Sequence, residues 1–196
     1  MPPSSIDNDL SNLIALFTER LEAVGGHVHR ASDPESLAEL IAEIAGAVHE
    51  IWASTDVATA APELTLAIGA AGFDVRIPND PATVRDQPIG LALARAAIAE
   101  TGSAILVEPR VNDRAVTLMT QTLVVICPES AIVPSLDEAA GILREISRDR
   151  ASCTTFITGP SRTADIEREL TVGVQGPGVL HVLLTSSLSS DRVDES

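Results

Sequence analysis

Apolar positions open the chain in a helical rhythm. Ile6, Leu10, Leu13, Ile14, Phe17, Leu21 and Val24 recur three and four residues apart, and Gly25-Gly26 stops the helix they predict. A short strand is expected at Val28 to Ala31. Ser32-Asp33-Pro34-Glu35 then reads as a helix start. Ser32 and Glu35 have capping-box spacing, while Asp33 before Pro34 is the alternative cap. Leu37, Leu40, Ile41, Ile44 and Val48 form the buried stripe of that helix. Ile51 to Ser54 reads as a strand, Pro62 opens a helix to about Ala71, and Phe73 to Ile77 is again a strand. Helix and strand alternate, which predicts an α/β fold: a largely parallel sheet with helices on its faces.

The middle of the chain breaks this rhythm. Leu91 to Ala99 and Ala104 to Val107 are apolar runs joined by Glu100-Thr101-Gly102-Ser103, the pattern of a hairpin. That would place an antiparallel element inside the parallel sheet. Leu123 to Cys127 is a buried strand closed by Pro128. Ser135 to Glu138 is a second capping box, and its helix is expected to turn Leu136, Ala140, Leu143 and Ile146 inward. Thr154 to Ile157 and Leu180 to Leu184 complete the strands. Pro78 to Pro88 reads as an exposed loop. There is no internal repeat or linker, so the expectation is one α/β domain over residues 1–185 and a polar tail over 186–196.

Charge and composition narrow the function. Thirteen basic residues, all Arg, face 28 acidic ones, a formal charge of −15. An acidic surface with three Phe, one Trp and no Tyr argues against nucleic-acid binding. The absence of Lys removes a P-loop lysine and a Schiff-base lysine. No apolar run approaches the roughly 20 residues that span a bilayer, and Met1 to Asn12 lacks a signal-peptide pattern, so a cytoplasmic protein with no membrane partner is expected. Cys127 and Cys153 form no C-x-x-C pair, which leaves the chain unable to hold an iron–sulfur cluster alone. Cys127 reads as a buried, inert thiol. There is no dinucleotide fingerprint, so no cofactor is expected. No metal site is expected either: His27 and His29 share strand spacing without a further ligand nearby, and His49 and His181 read as structural or surface residues.

The sharpest candidate for chemistry is Gly159 to Glu167. A strand runs into a Gly-Pro turn, and Ser161 and Thr163 flank Arg162 ahead of what reads as a helix carrying Asp165. A helix N-terminus offers free N–H groups, and a guanidinium suits a carboxylate or phosphate. Two readings stand: a small-anion site, or a capped helix whose Arg pairs with an acid. The second candidate is the Glu100 turn. There Glu100 is either a base or nucleophile with Thr101, Gly102 and Ser103 as ligand-binding neighbours, or an exposed acid in a hairpin. Both segments end apolar strands, so they are expected to be neighbours on the carboxyl rim where α/β sheets collect ligands.

The strings Ala97-Ile98-Ala99-Glu100-Thr101-Gly102-Ser103, Ile157-Thr158-Gly159-Pro160-Ser161-Arg162-Thr163-Ala164-Asp165-Ile166-Glu167, Gly173-Val174-Gln175-Gly176-Pro177 and Leu180-His181-Val182 resemble the LUD-domain family, in its lactate-utilisation protein C branch. The resemblance covers roughly residues 10 to 185. It implies a three-layer α/β/α sandwich similar to sugar-phosphate isomerases and coenzyme-A transferases. It also implies work beside an iron–sulfur subunit and a cysteine-rich subunit that together oxidise L-lactate to pyruvate, this chain being non-redox. The family commonly has His where this chain has Gln175, which can still hydrogen-bond a ligand, and tends to have Pro near Met119 and Thr120. A stand-alone transferase- or isomerase-like enzyme using Glu100 and Arg162, or a binding module without turnover, are the alternatives.

Overall fold

The computed structural model describes residues 5–148, 153–166, 169–172 and 176–188. Its elements run α1 (Ser5–Ala23), β1 (His27–Ala31), α2 (Pro34–Ala45), β2 (Glu50–Ala53), α3 (Thr55–Ala60), α4 (Pro62–Ala70) and β3 (Asp74–Arg76). Then come β4 (Ile89–Leu93), β5 (Ala96–Ile98), β6 (Ser103–Val107), α5 (Val111–Met119), β7 (Thr122–Pro128), β8 (Ile132–Val133) and α6 (Leu136–Ile146). The chain closes with β9 (Thr154–Ile157), β10 (Arg162–Ile166), β11 (Glu169–Val172) and β12 (Val179–Thr185).

Six strands form the main sheet in the order β1-β12-β7-β4-β2-β3, and all its pairings are parallel. Alternate residues of a strand face opposite sides. Leu91, Leu93, Val124, Ile126 and Leu183 therefore share one face, where they pack against Leu37, Ile41, Val57, Leu64 and Ile68 of α2, α3 and α4. Leu123, Val125, Leu180, Val182 and Leu184 share the other, against Ile14, Phe17 and Leu21 of α1. Helix α5 covers the rest of that second face, its Ala115 and Val116 meeting Trp52. The result is the expected α/β/α sandwich.

Gly90 lets α5 approach the sheet, because a Cβ there would lie 2.5 Å from Thr120 Oγ1 and 2.7 Å from the Val116 carbonyl. Gly90→Ala is expected to cost roughly 1–3 kcal/mol by overpacking, read as a lower urea midpoint with an unchanged m-value.

The antiparallel element is real but lies elsewhere than expected. The run from Leu91 to Ala99 is two strands, β4 in the main sheet and β5 outside it. Strands β5 and β6 form the hairpin, and with β8 and β9 they make a separate four-stranded sheet in the order β8-β5-β6-β9. Ala97, Ala99, Ala104 and Leu106 turn one face of it into the α1 core. Ala96, Ile98 and Ile105 turn the other to Ala139 of α6.

Local details correct several expectations. Asp33, not Ser32, caps α2: its carboxylate accepts from Ser36 N at 2.8 Å and Ser36 completes the box, since Pro34 occupies the first helical position. In α6, Ser135 is the cap as expected, accepting from Glu138 N at 3.4 Å, but Ala139 rather than Ala140 is buried and Leu136 is half exposed. The loop 78–88 contains a 3-10 turn at Pro81–Val84 whose Val84 is fully buried. Leu188, placed in the polar tail by its sequence neighbours, is buried in the α2–α4 core. Cys127 is buried as expected, and burial pushes its thiol up to about 12.

Candidate functional site

The Glu100 turn and the Gly159 turn come together. Strands β6 and β9 pair antiparallel with Ala104 opposite Ile157, which sets Ser103 beside Thr158. Their hydroxyls lie 2.6 Å apart, and the Thr101 hydroxyl lies 2.7 Å from that of Ser103. Three hydroxyls thus form a continuous ladder. Ser103 is buried, while Glu100 at the tip is exposed. The Glu100 N–H donates to the Pro134 carbonyl at 3.0 Å, fixing the turn.

Two glycines press this cluster onto the end of α1. Gly102 has φ +67° and a Cβ there would lie 2.5 Å from Leu21 N. Gly159 has φ +84° and a Cβ there would lie 2.9 Å from Val24 Cγ2. The Ser161 N–H donates to the Pro177 carbonyl at 2.8 Å, which brings the Gly176-Pro177 segment to the same rim. A Cβ on Gly176 would lie 3.1 Å from Ser161 Cβ.

Two expectations fail here. The segment after Ser161 is not a helix. Arg162 opens β10, and Arg162–Ile166 pairs antiparallel with Glu169–Val172, Arg162 opposite Val172 and Thr163 opposite Thr171. Asp165 lies in β10, within an irregularity of that pairing. β-branched Thr163, Ile166, Thr171 and Val172 favour a hairpin over a helix, and the anion site cannot draw on a helix N-terminus. Nor is the rim the carboxyl one. Strands β5 and β8 run back from the carboxyl ends of β4 and β7, so the turns lie where α1 ends and β1 and β12 begin. Gln175 lies outside the described residues.

At the opposite end, beyond β2, is a carboxylate cluster that sequence reasoning missed. Asp113 Oδ1 accepts from Thr55 N at 2.8 Å and from Thr55 Oγ1 at 2.9 Å. Asp56 Oδ1 accepts from the Ser54 hydroxyl and from Val57 N. Burial, with Asp113 and Glu108 nearby, pushes the Asp56 carboxyl up to about 6 despite those bonds. Glu108 accepts from Thr117 Oγ1 at 2.6 Å and Thr155 Oγ1 at 2.9 Å, and burial raises its carboxyl too. A carboxyl that titrates near neutrality can hold or release a proton. Glu108 and Asp113 lie close in sequence, before α5 and within it, but Asp56 is on the distant α3, and only the fold brings it to them.

The histidines also regroup. His27 and His29 are joined by His181 of the neighbouring strand, the rings stacked at 4.8 and 5.3 Å between centroids. His181 was expected inside a buried strand, and it is half-buried. Burial, then His27 and His29, lowers its pKa to about 4. Among the described residues no helix is long and apolar enough to cross a membrane.

Comparison with known proteins agrees with this architecture. The solved DUF162 family protein from Deinococcus radiodurans superposes with a TM-score of 0.69 over 93% of this chain and 99% of that one, at 23% identity, a likeness of fold. Lactate utilization protein C of Geobacillus thermodenitrificans is 29% identical over 88% of this chain and 68% of its own length. That of Anoxybacillus flavithermus is 43% identical over 45% of this chain and 40% of its own length. In Bacillus subtilis the identity is 37% over 50% of this chain and 42% of the relative. The matched stretch thus spans less than half the length of most of these relatives. A family model, the LUD domain, matches residues 82–185, which hold the Glu100 turn, the β9–β10 junction and β12. More than half of the chain, including the whole rim, follows that pattern, and the chain belongs to the LUD domain family.

Proposed function

We propose that this chain is the non-redox subunit of a cytoplasmic system that oxidises L-lactate to pyruvate, and that it holds a small carboxylate at the rim of Glu100–Ser103, Thr158–Arg162 and Gly176-Pro177. The relatives named for lactate utilisation support the pathway. The single observation that supports the site is the hydroxyl ladder of Thr101, Ser103 and Thr158, clamped by Gly102 and Gly159 onto α1. Hydroxyls donate to carboxylate oxygens, and Arg162, at the start of β10 beside this rim, supplies the charge. The carboxylate-lined opposite end of the sheet would repel the same ligand. Electrons pass to partners that carry clusters, an iron–sulfur subunit and a cysteine-rich one, because ordinary side chains accept no hydride.

Thermal melts with lactate, pyruvate and phosphate esters test the site. A charge-assisted bond contributes on the order of 1.5–3 kcal/mol, so Arg162→Ala is expected to abolish most of the ligand-induced rise in Tm while leaving the unliganded Tm within a few degrees. A large fall in the unliganded Tm with the ligand shift intact makes Arg162 structural and refutes the site. Co-purification from the native host tests the partners: an iron–sulfur protein and a cysteine-rich protein are expected in stoichiometric amounts.

A further inference from the structure

We propose that His29 and His181 form a binding site for a divalent d-block metal ion, of which Zn2+ is the representative. Among the described residues β1 is an edge strand that pairs only with β12, in the register His27 opposite His181 and His29 opposite Leu183. All three histidines lie on the sheet face that carries Leu183, toward the start of the strands, where His27 is exposed and the other two half-buried. His29 Nε2 and His181 Nδ1 are 3.1 Å apart.

That spacing matches two ligands of one metal ion. Two nitrogens bound to one Zn2+ at about 2.0–2.1 Å are about 3.3 Å apart at a tetrahedral angle and about 2.9 Å apart at a right angle. A metal can therefore take the place of the hydrogen bond between the two rings: the proton between them passes to the outer nitrogen of the ring that carried it, and both facing nitrogens become free to bind as neutral imidazoles. The neutral imidazole is the ligand form. Imidazole pairs select zinc, copper or nickel over magnesium and calcium. The chain's charge of −15 raises the local concentration of cations.

The site is open rather than enclosed. Among the described residues no group of three or more His, Cys, Asp or Glu side chains is arranged to hold a metal. Two positions are protein nitrogens and the others belong to water or an external ligand. His27 stacks on His181 and holds its ring in place.

Calorimetric titration of the tag-free, chelator-stripped chain with Zn2+ at pH 7.5 tests this. The expected result is one saturable event per chain. His29→Gln, on a half-buried edge position, and His181→Gln are each expected to weaken it at least tenfold while retaining the native far-UV circular dichroism. His49→Gln, just before β2 and toward the opposite edge of the sheet, is expected to leave the isotherm unchanged. No saturable one-to-one event, or an unaltered isotherm in His29→Gln, overturns the proposal and assigns any zinc uptake to the acidic surface.

Discussion

Gly102→Ala is expected to lower stability by roughly 2–6 kcal/mol, a large part of the margin of an ordinary domain. Two independent costs combine. The φ of +67° is a left-handed conformation that an alanine adopts only with strain. The added methyl would also lie 2.5 Å from Leu21 N, 2.8 Å from the Arg20 carbonyl carbon and 2.9 Å from Leu21 Cα. These are helix backbone atoms and cannot swing aside, so α1 must move off the turn. Gly46 separates the two costs. It has φ +58° with nothing within 4 Å of an added Cβ, so Gly46→Ala carries strain alone. Urea denaturation of both variants reads the difference. Gly102→Ala is expected to lose at least ~1 kcal/mol more than Gly46→Ala, and equal losses would show that the turn does not bear on α1.

Asp56→Asn is expected to stabilise the protein at pH 8 and to leave it nearly unchanged at pH 4. The native carboxyl titrates at about 6, above its ordinary value of 3.8. A group whose folded pKa is raised contributes stability below its unfolded pKa and loses that contribution as pH rises through the folded value. Asp56 therefore weakens the fold progressively from about pH 4 to 7, by on the order of 2–3 kcal/mol at the upper end. Asparagine keeps an acceptor for the Ser54 hydroxyl and the Val57 N–H while removing the buried charge facing Asp113 and Glu108. The lost attraction to the start of α3 is smaller, roughly 0.3–1 kcal/mol. Thermal melts from pH 4 to 8 read the effect: the native Tm is expected to fall toward pH 8 relative to the variant. Parallel curves would place the Asp56 carboxyl in solvent.

The elements with strong periodicity were legible in the sequence. α1 and α2 follow their apolar stripes, α4 starts at the Pro62 that marks it, and β7 and β12 are the buried runs they appear to be. Helices α3 and α5 were not. Thr55-Asp56-Val57-Ala58-Thr59-Ala60 has one large apolar residue, and α5 mixes Asn112, Asp113 and Arg114 with Val116, so neither presents a clean stripe. The site was partly legible. A hydroxyl residue followed by Gly after an apolar run marked both turns, Thr101-Gly102 and Thr158-Gly159, and the fold places them side by side through the Ser103–Thr158 bond. Their position at the start of β1 and β12 was not, because it depends on β5 and β8 folding back from the main sheet. The reading of Ser161 to Asp165 as a capped helix failed because the β-branched Thr163 and Ile166 suit a strand pairing with Thr171 and Val172, which outweighs the helix-start pattern of hydroxyls and acids. Asp56, Asp113 and Glu108 carry no local motif, and the same holds for His181 beside His29.

Backbone amide shifts of the 15N-labelled chain during titration with lactate and pyruvate test the central claim most directly. The rim is expected to respond, with saturable shifts at Glu100, Thr101, Gly102, Ser103, Thr158, Gly159 and Ser161 and none at Thr55, Asp56 or Asp113. Shifts centred on Thr55, Asp56 and Asp113, or no saturable shift with either carboxylate, would contradict the assignment of the ligand to this rim.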